Sequence, residues 1–311
     1  MEIYDLNNFD KKNKIDSCAL GLGNFDGLHL GHKALIKDIK LIAKKNNIKS
    51  GILLFKEHTN TVILNEKKDY FLTSYKDKLE MLKEYELDYI FVVHFDNYIS
   101  DLSPEDFIGF LKSYTNVNYI VVGKDYTFGK KAKGNINTLK SLSEKYNYKL
   151  KIVDDYIINN TLIKSSKIRE LLKAGNLKLA NKYLGRNYFI KGKVIHGEGR
   201  GTGLGFPTAN LDNIDHYLLP KEGVYLTVTY IDNKKYKSLT SIGYNETFED
   251  DDLKIETFII DFNSNIYDDY IKVEFIEYIR ENIKFEDKNG LIDQINKDFN
   301  YANNYKINLH N

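Results

Sequence analysis

The stretch CALGLGNFDGLHLGH (Cys18–His32) determines our prediction of the fold. Its apolar run, CALGLG, is typical of a buried strand, and a Gly-Asn-Phe-Asp-Gly turn ends it. An amphipathic helical pattern follows over Lys33–Lys45. A strand, a turn with glycine and a helix in this order begin a βαβ unit. The stretch therefore predicts a parallel sheet whose first loop carries His29 and His32.

The same alternation of apolar runs and helical patterns continues to about Leu172. Alternating strands and helices predict a doubly wound α/β domain with helices on both faces of a parallel sheet. The predicted strands are GILLF (Gly51–Phe55), YIFVVHF (Tyr89–Phe95), YIVVG (Tyr119–Gly123) and KLKIVD (Lys149–Asp154). The predicted helices are Lys76–Tyr85, Pro104–Tyr114 and Asn137–Tyr146.

The pattern changes after Leu184–Tyr188. Strand-like segments separated by turns fill most of the remaining chain, and one helical pattern near Gly290–Phe299 closes it. These features predict a compact antiparallel barrel or sandwich. We therefore expect two domains, residues 1–184 and residues 185–311.

Composition limits the classes of partner. The chain has 45 basic and 44 acidic residues among 311, a net charge of +1, so no global positive field attracts nucleic acid or an anionic membrane. The polar N-terminus and the absence of a run of about eighteen apolar residues predict no membrane segment. A single cysteine, Cys18, suits a reducing compartment. We expect a cytoplasmic protein and leave self-association open.

His29 and His32 lie at the predicted start of the first helix, at the carboxyl edge of the sheet. Free N–H groups at a helix start favour a phosphate, and Gly27 and Gly31 let the backbone approach it. Two imidazoles there have the geometry to donate hydrogen bonds to a phosphate oxygen during displacement. Taken alone, H-x-G-H is equally compatible with a cap or a packing role.

Two further stretches have candidate binding residues. In GKDYTFGKKAKG (Gly123–Gly134), Tyr126 and Phe128 offer ring faces for a flat ligand, although a solvated basic turn explains the pattern too. In HGEGRGTGLGFPTANL (His196–Leu211), closely spaced glycines favour an anion cradle or a flexible linker. Thr208 and Asn210 face one side of an extended chain and suit Mg²⁺, or they serve a turn.

The first motif, G-N-F-D-G-x-H-x-G-H, resembles the adenylyltransferase module of the bacterial bifunctional riboflavin kinase/FAD synthetases. The resemblance continues through Leu102–Leu111, Val121–Asn135 and Ser165–Asn176. It implies a Rossmann-like nucleotidyltransferase fold in which His29 and His32 contact the phosphates of ATP. Further nucleotide contacts implied by it are Gly23, Asn24, Phe25, Asp26, Gly31, Gly123, Asp125, Ser165, Ser166 and Arg169.

The run H-G-x-x-x-G-x-x-x-G-F-P-T-A-N is similar to the riboflavin kinase module of the same family. This resemblance implies a β-barrel, Mg²⁺ held by Thr208 and Asn210 together with ATP, and Glu256 as the catalytic base. Gly197, Gly201 and Gly205 are the implied phosphate-binding glycines, and Arg280 is an implied flavin contact. The resemblance of the first module implies two further flavin contacts, Tyr126 and Phe128.

This sequence departs from the family pattern at several positions. Asn245 and Glu246 stand where an Arg-Pro pair is usual, Tyr267–Asp269 replaces Tyr-Gly-Lys, and Lys164 stands where Ser is common. Leu53–Asn60 lacks the usual prolines near His58. These changes bear on rate, affinity and flavin contacts more than on the type of reaction.

The resemblance implies a transferase that phosphorylates riboflavin to FMN and then adenylylates FMN to FAD, releasing pyrophosphate. Its partners are the small molecules ATP, riboflavin and FMN. Two alternatives stay open: an enzyme with only one active module, and a flavin-binding regulator that retains both folds. A cytidylyl- or pantetheine-type transferase explains the first motif only.

Overall fold

The computed structural model describes residues 1–8, 15–56, 71–197, 205–213, 215–245, 250–285 and 287–307. The chain forms two compact units, Met1–Ser165 and Ser166–Asn311. The domain boundary between residues 184 and 185 stays a prediction. Across the described residues, no helix combines the length and the apolar character that crossing a bilayer requires.

The first unit contains eight strands and five complete helices within the described residues. Strands β1–β6 form one parallel sheet in the order β1-β4-β3-β2-β5-β6, and β7 and β8 form a small antiparallel hairpin. The elements are β1 (Glu2–Asp5), β2 (Cys18–Gly21), α1 (Leu30–Asn46), β3 (Lys49–Phe55), α2 (Tyr75–Lys83), β4 (Tyr89–Val93), α3 (Asn97–Asp101), α4 (Pro104–Tyr114), β5 (Val117–Gly123), α5 (Ile136–Leu142), β6 (Lys149–Val153), β7 (Ile157–Ile158) and β8 (Thr161–Leu162).

Apolar side chains cover both faces of this sheet. Leu20, Leu53 and Phe91 belong to a buried cluster on the face that α4 covers. Their neighbours along the strands, such as Ala19 and Ile52, belong to the cluster on the face of α1 and α2. Successive strand residues point to opposite faces, so a sheet buried on both sides needs continuous apolar runs. The observed burial explains why the sequence shows runs rather than alternation.

The order of strands places a crevice at the carboxyl end of β2. The chain passes from β2 outward to β3 and β4 and then returns to the other side of β2 as β5. Loops that leave neighbouring parallel strands in opposite directions separate at this point, and ligands of such sheets bind there. The loop from Leu22 to His29 begins at this switch point.

The second unit is a closed antiparallel barrel with helices before and after it. The barrel order is β10-β13-β12-β11-β14-β9. The elements are α6 (Ser165–Lys173), which starts at the last residue of the first unit, α7 (Leu177–Leu184), β9 (Tyr188–Ile195), β10 (Thr208–Asp212), β11 (Gly223–Ile231), β12 (Lys234–Asn245), β13 (Asp250–Ile259), β14 (Tyr270–Arg280) and α8 (Lys288–Asn304).

The wall of the barrel has a polar inner lining and an apolar outer patch. Five fully buried hydroxyls form a connected chain in the order Thr229, Ser238, Thr227, Thr240, Thr257, with oxygen–oxygen distances of 2.7–3.0 Å. The strand residues between them, including Leu226 and Leu239, pack in a cluster with Ala302 and Phe299 of α8. Alternation along the strands thus separates the hydroxyl chain from the surface that α8 covers.

The predicted fold class is confirmed: a parallel α/β sheet followed by an antiparallel barrel with a closing helix. Between the two architectures left open by the strand pattern, the barrel is the one formed. The structure adds elements that we did not predict, among them the edge strand β1, the hairpin β7–β8 and the helices α3 and α7.

Candidate functional site

The first site begins where His29 caps α1. His29 has extended backbone angles, φ −69° and ψ 173°, and its Nδ1 accepts a hydrogen bond from the N–H of His32 at 3.4 Å. Because Nδ1 is the acceptor, the proton of a neutral His29 lies on Nε2. The two imidazole rings are stacked, with centroids 3.7 Å apart. The predicted pair therefore forms one unit at the positive end of a helix.

Gly31 is required by the position of His29. A Cβ atom on Gly31 would lie 3.1 Å from His29 Cε1 and 3.2 Å from His29 Nδ1, closer than ordinary packing. The neighbouring loop also has Phe25 with a positive φ of 49° and a buried side chain, whose ring lies 5.3 Å from that of His32. Gly23 precedes this turn, and the side chain of Asn24 is exposed.

His32 is held in its neutral form. Burial lowers its pKa well below the usual range, and the charges of His29 and Lys78 lower it further. Its Nδ1 is buried and has no hydrogen-bond partner among the described residues. A neutral imidazole has one N–H to donate and one nitrogen to accept with, so His32 suits a directed hydrogen bond.

Asp26 joins the loop to the start of α2. Its buried carboxylate accepts hydrogen bonds from the backbone N–H groups of Leu72 (3.3 Å) and Thr73 (3.1 Å). Its carbonyl oxygen accepts a bond from Ser165 Oγ at 2.8 Å. Asp26 thereby fixes the loop from two sides. These contacts support its predicted part in shaping the site.

A second loop lies at the same edge of the sheet, after the neighbouring strand β5. Gly123 ends β5, and its carbonyl accepts the N–H of Tyr126 at 3.2 Å in a turn that contains Asp125. Lys164 Nζ lies 2.7 Å from the Asp125 carboxylate. Residues 164 and 165 therefore contact both loops, and Lys164, which departs from the family pattern, neutralises a predicted nucleotide contact.

Tyr126 and Phe128 form a near-parallel pair, with ring centroids 5.7 Å apart. Phe128 is buried in the core and exchanges two backbone hydrogen bonds with Gly134, which closes the loop. Tyr126 is half-buried beside it, and burial raises the pKa of its hydroxyl. The Phe128 ring is thus engaged in packing, and the flavin contact of either ring stays a prediction.

Ser166 and Arg169 lie in α6, beyond Ser165. They belong to the second compact unit, and their part in the nucleotide site stays a prediction.

The second site lies on strands β10 and β13 of the barrel. Asn210 is directly opposite Glu256, and Thr208 is directly opposite Phe258. Residues opposite each other in antiparallel strands share a face, with Cβ atoms about 4.5–5.5 Å apart. The burial pattern along β10 agrees with this face, because Ala209, which lies between Thr208 and Asn210 and points to the opposite side, is buried. The register therefore brings together the two predicted metal ligands and the predicted base.

Gly197 leaves the space in which the Asn210 amide lies. A Cβ on Gly197 would lie 2.1 Å from Asn210 Nδ2 and 2.6 Å from Cγ, a distance that no packing tolerates. Gly205 has a positive φ of 86°, a conformation that favours glycine. Gly201 lies outside the described residues. The hydroxyl oxygen of Thr208 and the amide oxygen of Asn210 are hard donors that fit Mg²⁺.

Arg280 is engaged within the barrel unit. Its guanidinium donates three hydrogen bonds of 2.7–3.1 Å to the Asp298 carboxylate of α8 and a fourth, at 3.0 Å, to the Glu281 carbonyl. Gln294 Nε2 donates to the same carboxylate at 2.9 Å. The Arg280 side chain thus joins β14 to α8, and its contact with a flavin stays a prediction.

Two residues near these sites escaped the sequence reasoning. Lys78 in α2 is 4% exposed. Burial lowers its pKa and the Asp26 charge opposes that lowering, while the charge of Lys78 lowers the pKa of His32. The signal for Lys78 was present: it stands four residues before Leu82, on the apolar face of the helix. Asp298 is also buried, in a helix whose sequence pattern gave no partner for it.

Two family models match the chain. The FAD synthetase model matches residues 11–167, and the riboflavin kinase model matches residues 184–306. A bifunctional riboflavin kinase/FMN adenylyltransferase from Listeria monocytogenes is 38% identical to this chain over 90% of each protein. The protein of the same name from Bacillus subtilis is 36% identical over 94% of this chain and 93% of its own.

The two-unit architecture also has a solved counterpart. A crystal structure described as a macrolide-efflux protein from Streptococcus pneumoniae has a TM-score of 0.84 with this chain at 29% identity. The match covers 97% of this chain and 98% of the other. The likeness between the two proteins thus extends over both units.

Proposed function

The chain belongs to the family of bifunctional riboflavin kinase/FMN adenylyltransferases, and on that premise we propose which residues carry its two reactions. It is a transferase that converts riboflavin to FMN and FMN to FAD. We assign phosphorylation to the barrel and adenylylation to the parallel-sheet unit, with ATP as the donor in both.

In the kinase reaction, Glu256 accepts the proton of the ribityl 5′-hydroxyl as that oxygen attacks the γ-phosphorus of ATP, and ADP leaves. Thr208 and Asn210 would hold Mg²⁺, which neutralises charge on the phosphates when bound. Gly197, Gly201 and Gly205 would let backbone N–H groups approach the phosphates. The observation that carries this assignment is the register that sets Asn210 opposite Glu256.

In the adenylyl transfer, an FMN phosphate oxygen attacks the α-phosphorus of ATP and pyrophosphate leaves. No protein nucleophile takes part, so the residues position the phosphates and stabilise the developing charge. His29 and His32 would donate hydrogen bonds to phosphate oxygens at the start of α1. The stacked pair at the switch point carries this assignment. Asn24, Asp125, Ser166 and Arg169 are further candidate contacts in this reaction.

Reactions that consume ATP, together with one buried free thiol, Cys18, support a cytoplasmic enzyme. Burial raises the pKa of that thiol to about 12, which favours a packing role over a reactive one.

The test is a time course of the purified protein with riboflavin, ATP and Mg²⁺, with the flavins separated by chromatography. We expect FMN to appear first and then to give way to FAD. FMN alone would leave the kinase as the only active module. FAD from added FMN, without FMN from riboflavin, would leave the adenylyltransferase alone. If neither FMN nor FAD is formed, the result would favour a flavin-binding regulator.

A further inference from the structure

Beyond Ile195, where β9 ends, the chain enters the glycine run through His196 and Gly197. Gly197 lies against the amide of Asn210, which the proposed kinase reaction uses as a ligand of Mg²⁺. Asn210 is directly opposite Ile195, so the ladder between β9 and β10 fixes the chain up to that residue. The position of the Asn210 amide therefore depends on how His196 and Gly197 are held just past the end of the ladder.

The ring of Tyr267 lies against the imidazole of His196. The two ring centroids are 3.9 Å apart and the ring planes are inclined by 25°, a stacked arrangement. Tyr267 lies in the connection between β13 and β14 (residues 260–269), and neither reaction step proposed above uses either ring. Ring pairs of this kind stabilise by more than the area that they bury. The stack thus joins this connection to the residue that precedes Gly197.

Backbone hydrogen bonds hold Tyr267 in place beside β9. The N–H of Asp268 donates to the Val194 carbonyl, and the N–H of Val194 donates to the Asp269 carbonyl, each at 2.9 Å. The N–H of Tyr267 itself donates to Asn265 Oδ1 at 2.9 Å. The ring of Tyr267 therefore rests on a fixed backbone and limits the movement of the His196 ring.

Asp268 stands where the family pattern has a glycine. Its φ of 69° lies in the left-handed region, which favours glycine and which aspartate tolerates better than most residues. Its carboxylate lies 2.6 Å from Lys193 Nζ of β9. The turn after Tyr267 thus forms without a glycine, and the ion pair is a second link between β9 and the connection.

We propose that Tyr267 is a positioning residue for the kinase reaction: its ring, stacked on His196, holds Gly197 against the Asn210 amide and so keeps that amide in place to bind Mg²⁺. This inference rests on the proposed function of the second unit. It assigns to Tyr267 an action through His196 and Gly197, without contact with the reacting atoms.

The test is Tyr267→Leu, which removes the ring and keeps an apolar side chain. Without the stack, the Mg²⁺ concentration needed for half-maximal FMN formation should rise about fivefold. Tyr267→Phe keeps the ring and should leave that concentration unchanged. Tyr301→Leu is the matched control, because Tyr301 is a tyrosine of the same unit with 43% of its surface exposed, against 44% for Tyr267. It should leave the Mg²⁺ dependence unchanged.

A double-mutant cycle separates the stack from a general loss of stability. His196→Leu should raise the Mg²⁺ requirement as Tyr267→Leu does, and the double variant should raise it no further than either substitution alone. Additive effects of the two substitutions would overturn the proposal. An effect of Tyr267→Phe as large as that of Tyr267→Leu would overturn it too.

The second measurement is the binding of Mn²⁺, a probe for the Mg²⁺ site, in the presence of ADP, with free Mn²⁺ counted by electron paramagnetic resonance. The binding that Asn210→Ala removes is that of the barrel unit. Its dissociation constant should rise about fivefold in Tyr267→Leu and stay unchanged in Tyr267→Phe and Tyr301→Leu.

An unchanged dissociation constant in Tyr267→Leu, or no such binding in the unsubstituted protein, would overturn the proposal. The measurement needs no turnover. A protein that binds Mn²⁺ in this way but forms no FMN would therefore contradict the proposed kinase function and leave the role of Tyr267 standing.

Discussion

Gly31 follows the cap residue of α1 by two positions, and the ring of His29 occupies the space beside it. The absence of a Cβ atom at Gly31 thus leaves the space in which the His29 imidazole lies. Gly197 has the same relation to the Asn210 amide in the barrel. At the scale of single residues, both candidate sites depend on glycines that the sequence presented as parts of phosphate loops.

Gly31→Ala should displace His29 by a few tenths of an ångström and slow FAD formation about tenfold, because small misplacements of reacting groups are costly. FMN formation in the same sample should not change. Gly109→Ala is the control, since its Cβ would come no closer than 3.4 Å to Tyr146. Equal rates for the two variants would contradict the packing argument.

Gly197→Ala should rotate the Asn210 amide out of its position and raise the Mg²⁺ concentration needed for half-maximal FMN formation about tenfold. Rates measured over a Mg²⁺ series at saturating ATP provide the check. Gly290→Ala in α8, where a Cβ meets only ordinary contacts, serves as the control. An unchanged Mg²⁺ dependence would contradict the assignment of Asn210 as a ligand of the metal.

At the scale of elements, the pair Arg280–Asp298 joins the last strand of the barrel to α8. The side chains are 18% and 6% exposed, so truncation of one leaves the other charged and desolvated. Asp298→Ala should lower the free energy of unfolding of the barrel unit by about 3 kcal/mol. The urea concentration at which riboflavin kinase activity is lost should fall accordingly. Asp293→Ala, at an exposed position of the same helix, should shift it little.

The presence of the central strands and of the helices α1, α2, α4, α5 and α8 followed from the sequence because their signals are local, although only α4 has both predicted ends. The apolar runs of β2–β5 have the composition of strands buried on both faces, and Ser103-Pro104 begins α4 as a capped helix should. Strand β1 escaped prediction because its four residues, EIYD, are half-exposed at the edge of the sheet. Pairing with β4, a long-range contact, makes it a strand.

The candidate residues followed from motifs, whereas their partners did not. Thr208 and Asn210 were identified with Glu256 through the family pattern, and the register then explains why the three share a face. Lys78 and Asp298 have no motif around them. Both side chains are buried; Asp298 pairs with Arg280, and the charge of Lys78 lowers the pKa of His32. These relations join residues distant in sequence, which periodicity cannot reveal.

At the scale of the whole molecule, the histidine pair lies in the first unit and Glu256 in the second, so one activity should be removable without the other. His29→Ala should lower FAD formation about 10²–10³-fold and spare FMN formation. Glu256→Gln should lower FMN formation about 10²–10⁴-fold and spare FAD formation from added FMN. Glu281→Gln, an exposed carboxylate of the same unit, is the control for the second variant. Loss of both activities in either folded variant would contradict separate sites.

The hydroxyl chain inside the barrel has a consequence for its dipoles. Each inner hydroxyl can donate to the neighbour on either side, so the bonds between Thr229 and Thr257 can run in two opposite senses with the same oxygen positions. A hydroxyl that turns forces the next to turn, and the sense of polarisation belongs to the whole row. The five hydroxyls of the three strands thus share one of two hydrogen-bond directions. The groups at the two ends of the row, beside Thr229 and Thr257, determine which direction the row adopts.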